Sequence, residues 1–407
     1  MRILVTTHYY AEHCGGVEIV AEELGRRLTH RGIEVVWAAS KLEPVSVDTA
    51  FRRLPMRTLN FTERRLGFPY PLWGPLSLLR LCREVRRCDL LHIHDSLYMG
   101  NVVAFVWARL LGKPVVVTQH VGWIPYSRTV LRGLLALANH TLGWLVLAGS
   151  NRSVFCSKKV QTYFSRFIRF RTPPRYIPNG VATETFCPIG PEQRQRLRAR
   201  FGWPADKLIM LFVGRFVEKK GLRILRDLAE CFPECEWVFV GWGPDNPLRW
   251  GLPNVRCPGS LSREEIAPYY QAADLLVLPS VGEGFPLVVQ EAMACGTPAL
   301  ISKDTALAVP GIEDVALVSD LDHQHLTTII RGIIDAPASL QARREVVADF
   351  ARQHWDWEVC ADQYEQLFAE VCAGKREETL GDEAIFVGTD ARLKRPVHHH
   401  GRCRRLL

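Results

Sequence analysis

Short apolar runs that alternate with helix-period segments constrain the fold more than any other feature of this 407-residue chain. In the first half these runs lie at residues 2–7, 33–38, 90–94, 115–118 and 154–157. The segments between them, such as residues 76–87, repeat apolar side chains at helical spacing. Strands that alternate with helices in this way are typical of a parallel sheet covered on both faces.

The pattern pauses at residues 176–188, a turn-rich connection, and then starts again. The second set of apolar runs lies at residues 208–213, 237–240, 275–278, 298–301 and 315–318. We therefore expect an α/β protein with two doubly wound Rossmann-like domains, residues 1–182 and 183–355, that face each other across a central cleft. Helical spacing continues to residue 372, and residues 374–407 are expected to be a mostly disordered basic tail.

The cysteines and the first residues of the chain indicate its compartment. None of the 12 cysteines forms a CxxC pair, which favours reduced thiols in the cytosol over a zinc ribbon or a disulfide framework. Residues 2–7 read as a strand, without the apolar length of a secretory signal. Residues 133–151 are uncharged, but Asn139, His140 and Thr141 at their centre favour a buried or interfacial helix over a membrane span. We expect a cytoplasmic protein.

Charge is distributed unevenly along the chain. Residues 1–180 contain 25 Lys and Arg against 11 Asp and Glu, whereas residues 181–407 contain 26 against 32. Basic and aromatic side chains of the first half lie close together in sequence at Trp123, Trp144, Phe164, Arg166, Phe167, Arg169, Phe170 and Arg171. This pattern suits an anionic membrane surface, although the charges would also simply keep the domain soluble. No reader motif for nucleic acid accompanies them.

Two acidic residues bracket the start of a predicted helix in the second half. Glu283 lies in the loop after the strand at 275–278, and Glu291 lies about a turn and a half inside the helix that Pro286 opens. Free amides of a first helical turn can hold a diphosphate, and the carboxylates can accept hydrogen bonds from hydroxyl groups on either side of it. The spacing alone also fits a solvated helix face.

A second loop of the same half supplies cations. Residues 214–221 follow the strand at 208–213 and place Arg215 and Lys220 at the carboxyl edge of the predicted sheet, between two glycines. These cations would neutralise the negative charge of a nucleotide diphosphate. The two loops together favour a diphosphate site over ordinary surface loops.

These motifs resemble those of the family-4 glycosyltransferases of the GT-B architecture. The likeness covers residues 1 to about 372 and includes the E-x7-E element from Glu283 to Glu291 and the diphosphate-loop pair Arg215 and Lys220. Further similar segments are Gly-Gly-Val-Glu at 15–18, Ile-Pro-Asn-Gly-Val at 177–181, Gly-Trp-Gly-Pro at 241–244 and the Trp-containing last helix. The resemblance implies retaining transfer of a sugar from a nucleotide-diphosphate sugar without a metal or cofactor. It also implies that the last helix, about 356–372, crosses back to the N-terminal domain.

The resemblance further implies a role for each matched residue. Glu291 would bind the donor ribose, and Glu283 would bind hydroxyls of the transferred hexose-type sugar. Arg215 and Lys220 would stabilise the departing diphosphate. The amides of one short segment would help to hold sugar and phosphate: Gly284, Phe285, Pro286 and Leu287.

Candidate residues of the N-terminal half lie beside predicted strand ends. Gly15 and Gly16 precede a helix and would give amides to phosphate or acceptor, or would only shape a turn. His120 follows the strand at 115–118 and is similar to the family histidine that faces the transferred sugar, although a structural histidine is also consistent with this position. Asp95 would orient the acceptor.

Two patterns imitate metal sites. His92, His94 and Asp95 end one predicted strand, but nothing nearby supplies further ligands. Asp-Leu-Asp at 320–322 precedes a helical stretch, where an aspartate is favoured as a cap. We therefore predict no metal at either place.

The predicted function is transfer of a hexose-type sugar to a hydroxyl of a lipid-linked or envelope glycan acceptor. Because residues 96–183 lack Asp and Glu, no carboxylate lies beside His120 in sequence to attack the anomeric carbon, which favours a front-face route. Alternatives are a soluble glycosyltransferase with a small-molecule or free-glycan acceptor, and a nucleotide-sugar epimerase or hydrolase of the same fold. The sequence leaves the donor, the linkage and the oligomeric state open, and peripheral attachment to the inner face of the membrane is a further expectation.

Overall fold

The computed structural model describes residues 1–13, 15–41, 50–59, 70–123, 129–284 and 286–387. These residues form two parallel sheets with helices between successive strands, one sheet in each half of the chain. This is the two-domain α/β architecture that the strand pattern predicts. Phe285, one of the candidate site residues, lies outside the described residues.

The N-terminal sheet is built from short runs of Val, Ile and Leu that are buried on both faces. Its described strands, with a separate antiparallel pair β4–β5, are β1 Arg2–Tyr9, β2 Glu34–Ser40, β3 Arg52–Met56, β4 Thr58–Leu59, β5 Leu72–Trp73, β6 Leu90–His94, β7 Val115–Gln119, β8 Arg152–Phe155 and β9 Arg175–Tyr176. The parallel strands run in the order β3-β2-β1-β6-β7-β8-β9. Strand β1 lies between β2 and β6, so the chain reverses its direction of winding there, and the carboxyl ends of β1 and β6 border a crevice.

The N-terminal helices connect these strands. Their bounds are α1 Gly16–His30, α2 Pro75–Arg87, α3 Met99–Leu110, α4 Thr129–Ala138, α5 Trp144–Gly149 and α6 Lys158–Ser165. A π-helical turn, Asn139–Gly143, joins α4 to α5, so the apolar window at 133–151 is helical, as the sequence predicts. Among the described residues, no helix is both long enough and apolar enough to cross a membrane.

The C-terminal sheet repeats the arrangement. Its described strands are β10 Ile209–Val213, β11 Glu236–Val240, β12 Val255–Gly259, β13 Leu275–Leu278, β14 Ala299–Ser302 and β15 Leu317–Ser319. They run in the order β12-β11-β10-β13-β14-β15, so β10 takes the place that β1 has in the first sheet. The helices are α7 Pro191–Phe201, α8 Leu222–Cys231, α9 Arg263–Ala272, α10 Leu287–Ala294, α11 Lys303–Ala306 and α12 His323–Asp335.

The last two helices, α13 Ala338–Trp355 and α14 Trp357–Val387, return the chain to the N-terminal half. At their junction Val181 and Asp356 form an isolated bridge, and Gly180 lies so close to Trp357 that an added Cβ would be 2.2 Å from the indole. That close approach requires a glycine in the connection. The crossing of the last helix is therefore as the resemblance implies.

Polar contacts fix α14 against the N-terminal half. The Arg31 guanidinium bonds Glu358, Asp362 and Glu365 of α14, and the hydroxyl of Tyr364 lies 3.0 Å from Thr118 Oγ1. The helix extends to Val387, so the backbone of residues 374–387 is helical where the sequence predicts disorder. The rest of the predicted tail, 388–407, lies outside the described residues.

Candidate active site

The cation loop and Glu283 meet at the carboxyl edge of the C-terminal sheet. Lys220 closes a 3-10 turn after β10, and Glu283 follows β13, the neighbouring strand. Lys220 Nζ lies 3.0 Å from Glu283 Oε1, and both side chains are 13% exposed. Strand pairing thus brings together two residues that are far apart in sequence, as their positions after neighbouring strands predict.

Two further cations lie beside this pair. Lys219 Nζ is 3.8 Å from Glu283 Oε1, and Arg215 and Lys220 are near enough to act electrostatically on Lys219. The Arg215 guanidinium lies over the indole of Trp242, 5.0 Å from its centroid. Sequence reasoning missed Lys219 and Trp242, although both stand inside the motifs that it used. Two lysines against one carboxylate, with Arg215 close to Lys219, leave a local excess of positive charge.

The loop that carries Glu283 touches the N-terminal half. A Cβ on Gly284 would lie 2.4 Å from the backbone carbonyl oxygen of His120, so only glycine fits this approach. Pro286 is the N-cap of α10 and Leu287 its first residue, so the helix starts one position later than the sequence predicts. The amides of Gly284 and Leu287 therefore lie at the junction of the two halves.

Glu291 has different contacts from the cation cluster. Tyr270 donates a hydrogen bond to Glu291 Oε2 at 2.9 Å. Burial raises the pKa of the Glu291 carboxyl, and the positive charge of Arg263 opposes that shift. Glu291 and Leu287 line a small recess with Arg263 and with Ile19 of α1. The structure thus groups Arg215, Lys220 and Glu283, and puts Glu291 in an adjacent recess between the halves.

Gly15 and Gly16 form the start of α1, with Gly15 as the N-cap. The carboxylate of Glu18 folds back over this start, since a Cβ on Gly15 would be 2.1 Å from Glu18 Oε2. His8 Nε2 lies 2.9 Å from Glu18 Oε1, and the His8 ring stacks on Tyr98. Burial alone would raise the pKa of Glu18, but the charge and hydrogen bond of His8, a backbone hydrogen bond and His13 together lower it. Sequence reasoning missed His8, although it included Glu18, the partner of His8, in the Gly-Gly-Val-Glu motif at 15–18.

Asp95 is hydrogen-bonded to the backbone that follows β7. Its Oδ1 accepts hydrogen bonds from the amides of His120, at 2.8 Å, and Val121, at 3.3 Å. Asp95 adopts φ +64°, and Asn101 donates hydrogen bonds to the carbonyl oxygens of His94 and Asp95. At 4% exposure, this carboxylate holds the His120 loop from within the protein.

The imidazole of His120 is enclosed by N-terminal side chains. Its Nε2 lies 2.9 Å from His94 Nδ1, and its Nδ1 lies 3.6 Å from the Sγ of Cys156. Burial lowers the pKa of His120, and the charges of Asp95 and Glu18 only partly oppose this. The resemblance implies an imidazole that faces the sugar, with a structural histidine as the alternative. In the structure both ring nitrogens of His120 contact protein atoms, and its backbone carbonyl faces Gly284.

The two segments that resemble metal sites, 92–95 and 320–322, form hydrogen bonds with other protein groups. His92 Nε2 is hydrogen-bonded to Thr118 Oγ1 at 2.8 Å. Asp322 is the N-cap of α12 and accepts a hydrogen bond from the amide of His325, which confirms the predicted cap. In the part of the chain that the structure describes, no group of three or more His, Cys, Asp and Glu is arranged to hold a metal ion.

Comparison with known proteins decides the family. Residues 14–185 match the model of Glycosyltransferase Family 4, and residues 207–335 match that of Glycosyl transferases group 1. A D-inositol 3-phosphate glycosyltransferase of Catenulispora acidiphila is 32% identical over 89% of this chain and 92% of its own length. The chain is a family-4 glycosyltransferase.

Other relatives of this family-4 glycosyltransferase are consistent with that. A Bacillus subtilis protein named as a teichuronic acid biosynthesis glycosyltransferase is 29% identical over 72% of this chain and 69% of its own length. The crystal structure of Anabaena Alr3699/HepE, in complex with UDP and glucose, superposes with a TM-score of 0.70 over 91% of this chain and 99% of that one, at 20% identity. At that identity the likeness shows the GT-B fold alone.

Proposed function

We propose that this glycosyltransferase moves a hexose-type sugar from a nucleotide-diphosphate sugar to a hydroxyl of a lipid-linked or envelope glycan acceptor, with retention and without a metal. The cation cluster carries the proposal, because Lys219 and Lys220 contact Glu283, Arg215 lies within electrostatic reach of Lys219, and the three cations together leave positive charge for a diphosphate. The Anabaena neighbour is described in complex with UDP and glucose, which supports a donor of this class.

In the proposed reaction, Arg215 and Lys220 bind the diphosphate and stabilise the charge that develops as it leaves. Glu283 then exchanges its contact with Lys220 for hydroxyls of the transferred sugar, and Glu291 accepts hydrogen bonds from the ribose. Cations that neutralise the leaving group take the place of a divalent metal. A test is to assay turnover after exhaustive chelation, where loss of activity that Mg²⁺ or Mn²⁺ restores would contradict the metal-free reaction.

Retention by a front-face route requires that no carboxylate attack the anomeric carbon. Two N-terminal carboxylates that act electrostatically on His120 are otherwise engaged, because Asp95 accepts amide hydrogen bonds and Glu18 pairs with His8. The departing phosphate oxygen therefore takes the acceptor proton. Mass spectrometry of enzyme quenched during turnover should find no glycosylated residue, and a sugar trapped on Asp95 or Glu18 would overturn this route.

The donor class is tested by thermal denaturation with a panel of nucleotide-diphosphate sugars. A ligand present at about a hundred times its dissociation constant should stabilise the fold by about 2.7 kcal/mol. Lys220→Met should remove that stabilisation, while Lys303→Met, a surface lysine paired with Asp320, should retain it. A panel in which no nucleotide sugar stabilises the wild-type protein would contradict the proposal.

An exposed apolar face on α4, the π turn and α5 supports the proposed acceptor class. Its side chains are Val130, Leu134, Leu137, Leu142, Trp144 and Leu145. His140 stacks on Phe167 with ring centroids 4.0 Å apart, which puts this face next to exposed Arg166 and Arg169. Apolar side chains beside arginines suit the interface of an anionic bilayer. We place the membrane-proximal acceptor at this face.

The structure changes which aromatic residues belong to that surface. Phe164 is fully buried, whereas Phe167 and Phe170 are partly buried and pack against the N-terminal core. Phe164 therefore does not contribute to the membrane surface that the basic and aromatic pattern suits. Trp123 and Trp144 are exposed, at 38% and 47%.

Flotation with phosphatidylcholine vesicles, with and without phosphatidylglycerol, tests the surface. The protein should float only with anionic vesicles, and replacing Leu134 and Leu137 with Ser should abolish flotation. The matched control replaces Leu79 of α2, equally exposed at 57%, and should float as the wild type does. Equal flotation of the Leu134/Leu137 variant and the control would rule out a bilayer at this face.

A soluble glycosyltransferase with a small-molecule acceptor is the second candidate. The Catenulispora relative supports it, because its name specifies D-inositol 3-phosphate. A wild-type protein that does not bind anionic vesicles and glycosylates free polyols would favour it. An epimerase or hydrolase would release free sugar or an isomer without acceptor, and a product assay separates both from transfer.

A further inference from the structure

An ion pair joins the two halves of the molecule next to the Glu283 loop. Lys159 belongs to α6 in the N-terminal half, and Asp304 belongs to α11 in the C-terminal half. Lys159 Nζ lies 2.5 Å from Oδ1 and 2.6 Å from Oδ2 of Asp304. A backbone hydrogen bond from Lys158 to the carbonyl of Ala308, at 2.8 Å, runs beside it. The start of α6 therefore docks onto α11.

The same carboxylate also holds the loop that carries Glu283. Asp304 Oδ2 accepts a hydrogen bond from the backbone amide of Gly282 at 2.9 Å. Gly282 has φ +72°, a left-handed conformation that glycine adopts without strain. Two residues further on, Gly284 touches the His120 carbonyl. The loop is thus fixed from both sides, by Asp304 at Gly282 and by the N-terminal half at Gly284.

From these contacts we infer that Asp304 is a positioning residue for Glu283 and that Lys159 is its partner across the cleft, so that closure of the two halves sets the geometry of the Glu283 loop. The inference rests on the proposed function for its effect on turnover, but the coupling itself involves only protein atoms. The carboxylate of Asp304 has one oxygen for Lys159 and one shared with the Gly282 amide. When the two halves separate, Lys159 no longer contacts Asp304. The Asp304 carboxylate, which accepts the hydrogen bond of the Gly282 amide, is then no longer held in place by a positive charge.

The strength of the pair suits a reversible contact. The side chains of Lys159 and Asp304 are 28% and 34% exposed, so water and salt screen their attraction. Ion pairs of this kind contribute little to overall stability, so this pair by itself does not prevent the two halves from separating and closing again. A loop misplaced by about 1 Å can nonetheless cost about a hundredfold in rate, which makes a weak contact at this place matter for catalysis.

Hydrogen exchange of the Gly282 amide in the full-length protein tests the coupling without any substrate. Asp304→Ala removes the acceptor, and exchange at Gly282 should accelerate by about tenfold or more. Lys159→Met should accelerate it less, and Asp304→Asn, which keeps an acceptor oxygen but loses the charge, should resemble Lys159→Met. Lys159→Arg should restore the wild-type rate. Lys303→Met, which changes the neighbouring lysine of α11, should leave it unchanged.

Turnover kinetics with the donor found in the thermal panel provide the second measurement. Lys159→Met should raise the KM for donor by about two- to fivefold with little change in kcat. Asp304→Ala should lower kcat itself by about tenfold or more, because it releases the loop in the closed form as well. In the double variant, Lys159→Met should add nothing to Asp304→Ala. Independent, multiplicative effects would overturn the inference.

The two measurements separate this inference from the proposed function. If exchange at Gly282 is the same in the wild type and in Lys159→Met, no coupling exists, whatever the donor. If exchange changes as expected but no nucleotide sugar binds, the coupling stands and the proposed function fails. Unchanged thermal stability of Lys159→Met would confirm that its effects are not caused by partial unfolding.

Discussion

The carboxyl edges of the two sheets use polar residues in opposite ways. At the C-terminal sheet, Lys219, Lys220 and Glu283 keep charged groups partly open to water. At the N-terminal sheet, His94 and His120 are buried and hydrogen-bonded to each other. Burial lowers the pKa values of both histidines, so they are neutral. The two parallel sheets therefore provide a charged edge at the cation cluster and a neutral edge at the pair of His94 and His120.

This difference indicates what each edge can do. A cluster with more cations than carboxylates is stabilised when an anionic ligand arrives, and it contributes little to folding while it is empty. A buried network of neutral hydrogen bonds has its partners already, and it contributes to folding instead. We expect substitutions at the charged edge to change activity and substitutions at the neutral edge to change stability.

The largest expected effect is at the charged edge. Lys220→Met removes the cation nearest Glu283 and should lower kcat/KM by about a hundredfold to a thousandfold, the usual cost of losing one group that stabilises developing negative charge. Initial rates with the donor measure it. Lys207→Met, in the same half, removes a lysine that donates a hydrogen bond to the Pro233 carbonyl, and it should have near wild-type rates. Equal rates in the two variants would break the comparison.

The next effect is at the neutral edge. His120→Ala leaves His94 without its partner and opens a cavity beside Cys156, so we expect the free energy of unfolding to fall by about 2–4 kcal/mol. Urea denaturation measures it, and Lys220→Met should change that free energy by less than about 0.5 kcal/mol. A His120→Ala protein that is fully stable but inactive would show that the imidazole faces substrate, as the sequence predicts.

Acidification should reveal the same buried network. Burial lowers the pKa of His92 to about 3 from its ordinary 6.5, so the unfolded chain binds a proton that the folded chain does not. Stability is therefore complete above about pH 6.5 and should fall by about 1.4 kcal/mol per pH unit below it for this residue alone. Denaturation at pH 7 and pH 5.5 measures the slope.

The groups around His92 allow a matched variant. Its ring faces His94, the Thr118 hydroxyl, and Tyr364 and Phe368 of α14, none of them a carboxylate that would favour the imidazolium. His92→Leu should reduce the slope of the free energy of unfolding against pH by the contribution of this one residue. Identical slopes in variant and wild type would mean that His92 titrates alike in the folded and unfolded chain.

Much of the fold was predictable because strand and helix patterns are local. Runs of Val, Ile and Leu at β1, β7, β10 and β13 can be read without knowing any distant partner, and their order implies parallel sheets. The approach of Lys220 to Glu283 was predictable for a different reason, because residues that follow parallel strands of one sheet lie at the same edge of that sheet.

The rest depends on partners from distant parts of the chain. The enclosure of His120 requires His94 and Cys156, which come from or beside two other strands. The inward orientation of Phe164 depends on the core around Phe155, and no local spacing reveals it. The pair of Lys159 and Asp304 exists only when the two halves face each other, 145 residues apart in sequence.

The smallest expected effect is that of Trp242, which also lies at the charged edge. Trp242 is 56% exposed and lies beneath the Arg215 guanidinium, a cation–π contact that is worth about 0.5–1 kcal/mol at an exposed site. Trp242→Leu should therefore raise the donor KM by about two- to fivefold. Without the indole, the Arg215 side chain is free to rotate and must be ordered each time a donor binds. Steady-state kinetics measure it, and Leu248→Ala, at an equally exposed site of the same half, should have no effect. If Trp242→Leu lowered KM instead, the indole would hold Arg215 away from the diphosphate, and the charged edge would be partly self-inhibited before the donor arrives.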